Sequence, residues 1–364
     1  MNTKKNLRSS SIIAAVCLLV IIVLIKVATF FPDWIENNFS RGFYPGIARL
    51  YRRLFGGLPF SLGDILYLIA AFFLLLLVVK FVKIVIRRRI RLLNYKRGLL
   101  KAFSVCAIIY ILFNISWGLN YNRLGIAYQL KLEPEEYTVT DLKNITGLLL
   151  LKVNQDRLAL GDGKIHYPLT KQIFWKANNA YQNASFNYPF LQYKTCSIKQ
   201  SLYGRLGSLM GFFGYYNPFT GEAQLNLTQP RFLIPFVTCH EMAHQLGYAS
   251  ESEASFVGYL AAVESKDTLF KYSTYFDLFN YANRELYSMD SVTALRNYKR
   301  LDTLVKIDVA ELKEYFRKSH NAIEPLIRLF YDQYLKANQQ DKGVKSYDQV
   351  IGWLIAYNKK YKRL

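Results

Sequence analysis

Residues 238–256 read TCHEMAHQLGYASESEASF, and the pattern H-E-x-x-H falls on His240, Glu241 and His244. On an α-helix, residues four apart share a face, so both imidazoles can reach one metal ion. Glu241 is turned about 100° from His240. It is placed to take a proton from a water that the metal activates, and poorly placed to be a third ligand in the same turn. The competing reading is an amphipathic helix whose histidines only pack or cap. With four histidines in 364 residues, two of them falling in this pattern favours the metal.

The flanks extend the reading. Pro230 and Pro235 precede the motif, and proline is tolerated in a first helical turn, so the helix is predicted to start near Pro235. Phe236, Val237, Met242, Ala243 and Leu246 would be its buried side chains. Gly247 is placed to end it with a positive φ. Ser250-x-x-Glu253 reads as a capping box opening a second helix, from Glu251 to about Ser265. If Glu253 caps Ser250, Glu251 is the freer carboxylate and the expected third ligand, with Glu253 as the alternative. A third histidine is not available in the longer H-E-x-x-H-x-x-G-x-x-H form, because Ser250 stands at its last position. The expected site is therefore Zn²⁺ on His240, His244 and Glu251, with an open position for water as in catalytic centres.

Charge and hydropathy place this motif in a membrane protein. Residues 1–118 carry 17 Lys/Arg against 3 Asp/Glu, and residues 119–364 carry 30 against 23. Most of the net charge of +21 thus lies among apolar segments, which argues for membrane topology and against a nucleic-acid partner. Three segments are long enough to span a bilayer, at about 11–31, 62–86 and 99–119. The first has no A-x-A cleavage site and reads as an uncleaved anchor, with Lys26 able to snorkel. Arg87, Arg88, Arg89, Arg91, Lys96 and Arg97 between the second and third spans, with Lys4, Lys5 and Arg8, belong on the cytoplasmic side. The link could also bind anionic lipid. Everything after residue 119 then lies outside the cytoplasm. Tyr44–Phe55 (YPGIARLYRRLF) is amphipathic and is expected on the outer membrane surface.

The part from residue 120 to 364 reads as mainly α with a small β-hairpin, a zincin-like α+β domain following three transmembrane helices. Helices are predicted from Thr140-Asp141, over Thr170–Ala184 and Thr268–Ser288, over Asp308–Asn338 with a break at Pro325, and over Tyr347–Tyr361. Asn217–Gly221 (NPFTG) is a turn between two β-like pieces, Gly211–Tyr216 and Glu222–Leu227. Such a hairpin could cover the core or offer an edge strand to an extended peptide. His166, His320, Tyr259 and Tyr347 are candidates for stabilising an oxyanion. An oxidising compartment would permit a Cys196–Cys239 disulfide, although two cysteines form no framework. Cys239 points away from His240 on a helix and is not counted as a ligand.

Four pieces together, Trp117–Arg123 (WGLNYNR), Asn217–Ala223 (NPFTGEA), Cys239–Gly247 (CHEMAHQLG) and Glu251–Ala254 (ESEA), resemble the domain-of-unknown-function family 3810. That resemblance implies a bacterial membrane protein with an extracytoplasmic H-E-x-x-H domain, and by itself implies no activity; the expected location is the inner membrane. More loosely, the chain is similar to gluzincin-type membrane metallopeptidases, whose third ligand lies in an E-x-x-A-D pattern. Here Glu251–Ser255 fits except that Ser255 replaces the acid, and the spacing from His244 is shorter.

The expected function is that of a membrane-anchored zinc metallopeptidase with Glu241 as general base and a protein or peptide substrate. A non-hydrolytic metal-binding sensor or envelope assembly factor is the alternative. A hydrolase acting on lipid or envelope glycan is another.

Overall fold

In the computed structural model, residues 2–86, 92–133, 136–338 and 349–364 are described. The cations at 87–91 and Tyr347 fall outside them. Among the described residues three helices are long and apolar enough to cross a membrane: α1 (Asn2–Ala28), α3 (Leu62–Ile86) and α4 (Leu92–Ser116), with α2 (Tyr44–Phe55) between the first two. The first ends at Ala28, short of residue 31, and a turn leads to Pro32, before which helical backbone is disfavoured. The third ends at Ser116, and the chain tightens into a 3-10 turn at Gly118–Asn122. α1 packs along α4, whereas the apolar window of α3 is 0% buried.

The remaining chain is mainly helical. α5 (Val139–Ala159) starts at Thr138, whose side chain and Asp141 form a capping box, two residues before the predicted start. α6 (Thr170–Asn187) leads to a three-stranded sheet of β1 (Ile198–Gln200), β2 (Gly214–Asn217) and β3 (Glu222–Leu225). The hairpin β2–β3 pairs antiparallel as the turn residues imply, and β1 adds a parallel strand that the sequence did not suggest. The order is β1-β3-β2, so β2 is an edge. α7 (Gly204–Met210) fills the connection from β1 to β2.

α8 (Ile234–Gln245) carries the motif, starting with Pro235 in its first turn and followed by Gly247 at φ 87°. All twelve of its residues are buried, so it is the centre of the core rather than an amphipathic surface helix. α6, β3, α9 (Glu251–Val263) and α10 (Thr268–Met289) pack around it. Gly258 makes this possible for α9: a Cβ there would lie 3.0 Å from the His240 backbone nitrogen. α11 (Ser291–Lys299), α12 (Thr303–Ser319), α13 (Glu324–Ala337) and α14 (Gln349–Tyr361) complete the chain. The predicted helix over 308–338 is thus two helices, parted ahead of Pro325. The four cysteines are free, and no Cys196–Cys239 disulfide forms.

A second apolar cluster crosses the expected boundary at residue 119. It joins Ile35, Phe39, Tyr44 and Ala48 to Trp117, Leu119 and Ala249. Tyr44, Ala48 and Arg52, one face of α2, are buried, while Phe43, Leu50 and Leu54 are exposed. The amphipathy of this segment therefore first serves a protein contact, not only a surface. Glu36 locks the same region. Its carboxylate takes a two-pronged ion pair from the buried Arg123 guanidinium at 2.9 Å and a bond from the half-buried Gln129.

Burial pushes against the charge on Glu36, but Arg123 and the added donors hold its pKa below the ordinary 4.5. The pair therefore contributes stability above that value and loses it as pH falls through the lowered one. Glu36→Ala should destabilise the full chain in detergent by about 3–5 kcal/mol by stranding a buried guanidinium, read as a lower thermal midpoint. The same variant should also flatten the acid limb of stability below about pH 4.5. An unchanged midpoint would show that the pair does not hold the two regions together.

Candidate metal centre

The first turn of α9 lies against the second half of α8, and this crossing builds the site. Nε2 of His240 and Nε2 of His244 lie 3.2 and 3.5 Å from Oε2 of Glu251. The two imidazole rings are 4.8 Å apart and nearly perpendicular, as they are when aimed at one point. One ligand atom from each of the three residues falls within 4.8 Å of the others, a cluster that could hold a metal ion.

The other ring nitrogens are engaged. Nδ1 of His244 is 2.7 Å from the Tyr248 carbonyl, which requires that Nδ1 carry the proton and leaves Nε2 free to ligate. Nδ1 of His240 is 3.1 Å from Oγ of Ser255. Ser255 therefore orients a histidine from the position where the metallopeptidase pattern has an acid. This is the outer shell that metal-bound histidines ordinarily have.

Glu251 also accepts a hydrogen bond from Tyr331 at 2.8 Å. Glu253 points elsewhere, accepting from the Ile126 backbone N–H at 2.8 Å. The predicted capping box is absent: Ser250 makes no side-chain cap and instead meets Ser252 at 3.0 Å. Glu251 thus faces the histidines because of how α9 crosses α8, and not because Glu253 is occupied at the helix start.

Glu241 is buried beside this cluster, and among the described residues its Oε2 has no hydrogen-bond partner. A buried carboxylate oxygen left unpaired is costly unless something polar or charged meets it. Burial raises its pKa to about 8, with His244 pulling down and Glu251 pushing up. Burial opposes charge on His244 too, but the Glu251 carboxylate outweighs it and lifts His244 to about 9. Glu251, despite burial, is held well below the usual carboxylate range by His244 and His240. Burial and the neighbouring His244 push His240 down. Without a cation, His244 thus takes up the proton that balances the Glu251 carboxylate; a cation bound among these groups would displace that proton and leave two neutral imidazoles and a carboxylate as donors.

The edge strand β2 runs against Glu241. A Cβ on Gly214 would come within 2.6 Å of Oε1 of Glu241, so only glycine lets strand and carboxylate approach this closely. The end of α8 is held from the other side. The His244 carbonyl accepts from Nε1 of Trp117 at 3.2 Å, and the Gln245 carbonyl from Arg52 at 2.8 Å and Tyr44 at 3.1 Å. These are carbonyls that a helix terminus leaves without partners.

The sequence-predicted residues divide clearly. His240, His244, Glu241 and Glu251 come together. His166 is exposed in a loop, and His320 pairs with Glu324 at an exposed helix boundary, so neither joins the cluster. Tyr259 is buried among Phe256 and Tyr357. The tyrosine that reaches the site is Tyr331, from a helix far along the chain, and nothing in the local sequence singles it out. No curated protein and no solved structure matches the chain. The family model described as protein of unknown function (DUF3810) matches residues 39–355, and the chain belongs to that family.

Proposed function

We propose that this protein is a zinc-dependent metallopeptidase with a zincin-like domain, anchored in the inner membrane by its three apolar helices. The observation that carries this reading is the convergence of His240, His244 and Glu251 beside a buried Glu241 whose Oε2 has no hydrogen-bond partner among the described residues. Zinc suits two neutral imidazoles and a carboxylate, and it supplies the Lewis acidity that activates water and polarises a carbonyl. His240 and His244 would hold the ion through Nε2, kept in orientation by Ser255 and the Tyr248 carbonyl. Glu241 takes the proton of the attacking water and passes it to the leaving amine. Burial pushes the Glu241 carboxyl up and a neighbouring cation would pull it down, a balance that suits a group which must both accept and return a proton.

Peptide is favoured as substrate because β2 is an edge strand in contact with Glu241. An extended chain adding to that edge would bring a backbone carbonyl past the site. The positive-inside distribution of the N-terminal cations supports a site outside the cytoplasm.

A second reading, a metal-dependent sensor without turnover, is favoured by one contact. The first turn of α3 is fastened to the sheet: Glu222 accepts from the Leu62 and Gly63 N–H groups at 3.1 and 2.7 Å, and Asp64 accepts from Leu202 and Tyr215. A span so fastened could feel the state of the site.

Elemental analysis of the purified full chain should find about one zinc. His240→Ala and Glu251→Ala should lose it and Glu253→Ala should keep it; retention in Glu251→Ala would remove that residue from the ligand set. Glu241→Gln should keep the zinc and lose turnover of a peptide library by about 10²-fold or more. Gly214→Ala should act in the same direction by displacing Glu241, with zinc retained. A zinc-loaded wild type inert to peptides would favour the sensor.

A further inference from the structure

α7 and α13 lie side by side, joined where Asn321 donates to the Leu209 carbonyl at 2.7 Å. Between them they expose Leu206, Leu209, Ile323, Leu326, Leu329 and Phe330, with Phe330 68% and Leu329 56% accessible. On α13 these side chains recur at helical spacing and form one face. The opposite face is the one that reaches the metal cluster, through Tyr331 on Glu251 and a Tyr331–Phe212 edge contact at 5.1 Å. Six large apolar side chains exposed together on two adjoining helix segments are the composition of an interaction surface.

Its position says what covers it. Tyr334 of α13 is hydrogen-bonded at 3.3 Å to Tyr121, which follows the end of α4 by five residues and packs on Trp117. Tyr334 is also within electrostatic reach of Tyr67, in the second turn of α3. α13 is thus pinned where two apolar helices begin and end on the same side, among tyrosines of the kind that settle at a membrane–water boundary. Beside it α3 is exposed along its whole apolar window, so lipid surrounding α3 would run up to α13 without an intervening protein layer.

We propose that the exposed apolar face of α7 and α13 is a membrane-docking surface resting in the outer leaflet of the bilayer that the chain spans. The metal cluster then lies just behind the membrane surface, with Tyr331 between it and the lipid. On the peptidase reading, the substrate is a polypeptide attached to or lying on the membrane rather than one diffusing freely. The inference rests on the reading that α1, α3 and α4 cross the bilayer.

Depth measurements on the full chain in phosphatidylcholine nanodiscs test it. Nitroxide labels go on Leu329→Cys and Phe330→Cys, with Cys17, Cys106 and Cys196 replaced and the buried Cys239 kept. Leu75→Cys in α3 serves as the lipid reference and Leu158→Cys in α5 as the water reference. Labels at 329 and 330 should be relaxed several-fold more by oxygen than by a water-soluble nickel chelate, as at 75. Ready relaxation by the chelate, with 75 still lipid-like, would overturn the docking surface alone. A water-like label at 75 would overturn the spanning reading beneath it. Labels shielded from both reagents, with spin–spin broadening, would assign the face to a second copy of the chain and overturn the lipid assignment.

Discussion

The constraint behind this structure is that the helix carrying the H-E-x-x-H pattern is buried on every face. Such a helix has no water to satisfy its terminal carbonyls, so other parts of the chain must supply donors. They come from the N-terminal half: Tyr44 and Arg52 of α2, and Trp117 just beyond α4. The cation of Arg52 also complements the negative end of the helix dipole. The apolar helices and the candidate site are consequently one structural unit at this point. The family match runs from residue 39 to 355 and so takes in the donors as well as the motif.

The charge arrangement at the site follows from the same burial. Glu241, Glu251, His240 and His244 all sit where water is scarce, and each ionisation depends on the others. Among the described residues Oε2 of Glu241 has no hydrogen-bond partner, and a buried carboxylate oxygen in that state costs stability. A cation between the imidazoles and Glu251 would stabilise every negative charge there. The reading as a catalytic centre therefore rests on an energetic tension as well as on a sequence pattern.

Much of this was legible in the chain itself. The H-E-x-x-H spacing puts two imidazoles on one face wherever a helix forms, and long apolar runs leave little choice of structure. The hairpin announced itself through Asn217–Gly221. What escaped was set by distant partners. Ser250 and Glu253 have the spacing of a capping box, but the Ile126 N–H, 127 residues away in sequence, claims Glu253 instead. Tyr331 meets Glu251 across 80 residues. The amphipathy of Tyr44–Phe55 is plain, but periodicity cannot tell a face that meets lipid from one that meets protein. β1 is three residues long and takes its register from β3, so no local pattern betrays it.

X-ray absorption at the zinc edge of the purified full chain addresses the central claim most directly, because it reads the ligand atoms rather than their consequences. Zinc held by His240, His244 and Glu251 would give a first shell of nitrogen and oxygen only, at about 2.0–2.2 Å, with the outer-ring scattering of two imidazoles. A sulfur at about 2.3 Å would bring in Cys239 and contradict the assignment, as would a zinc shell without imidazole.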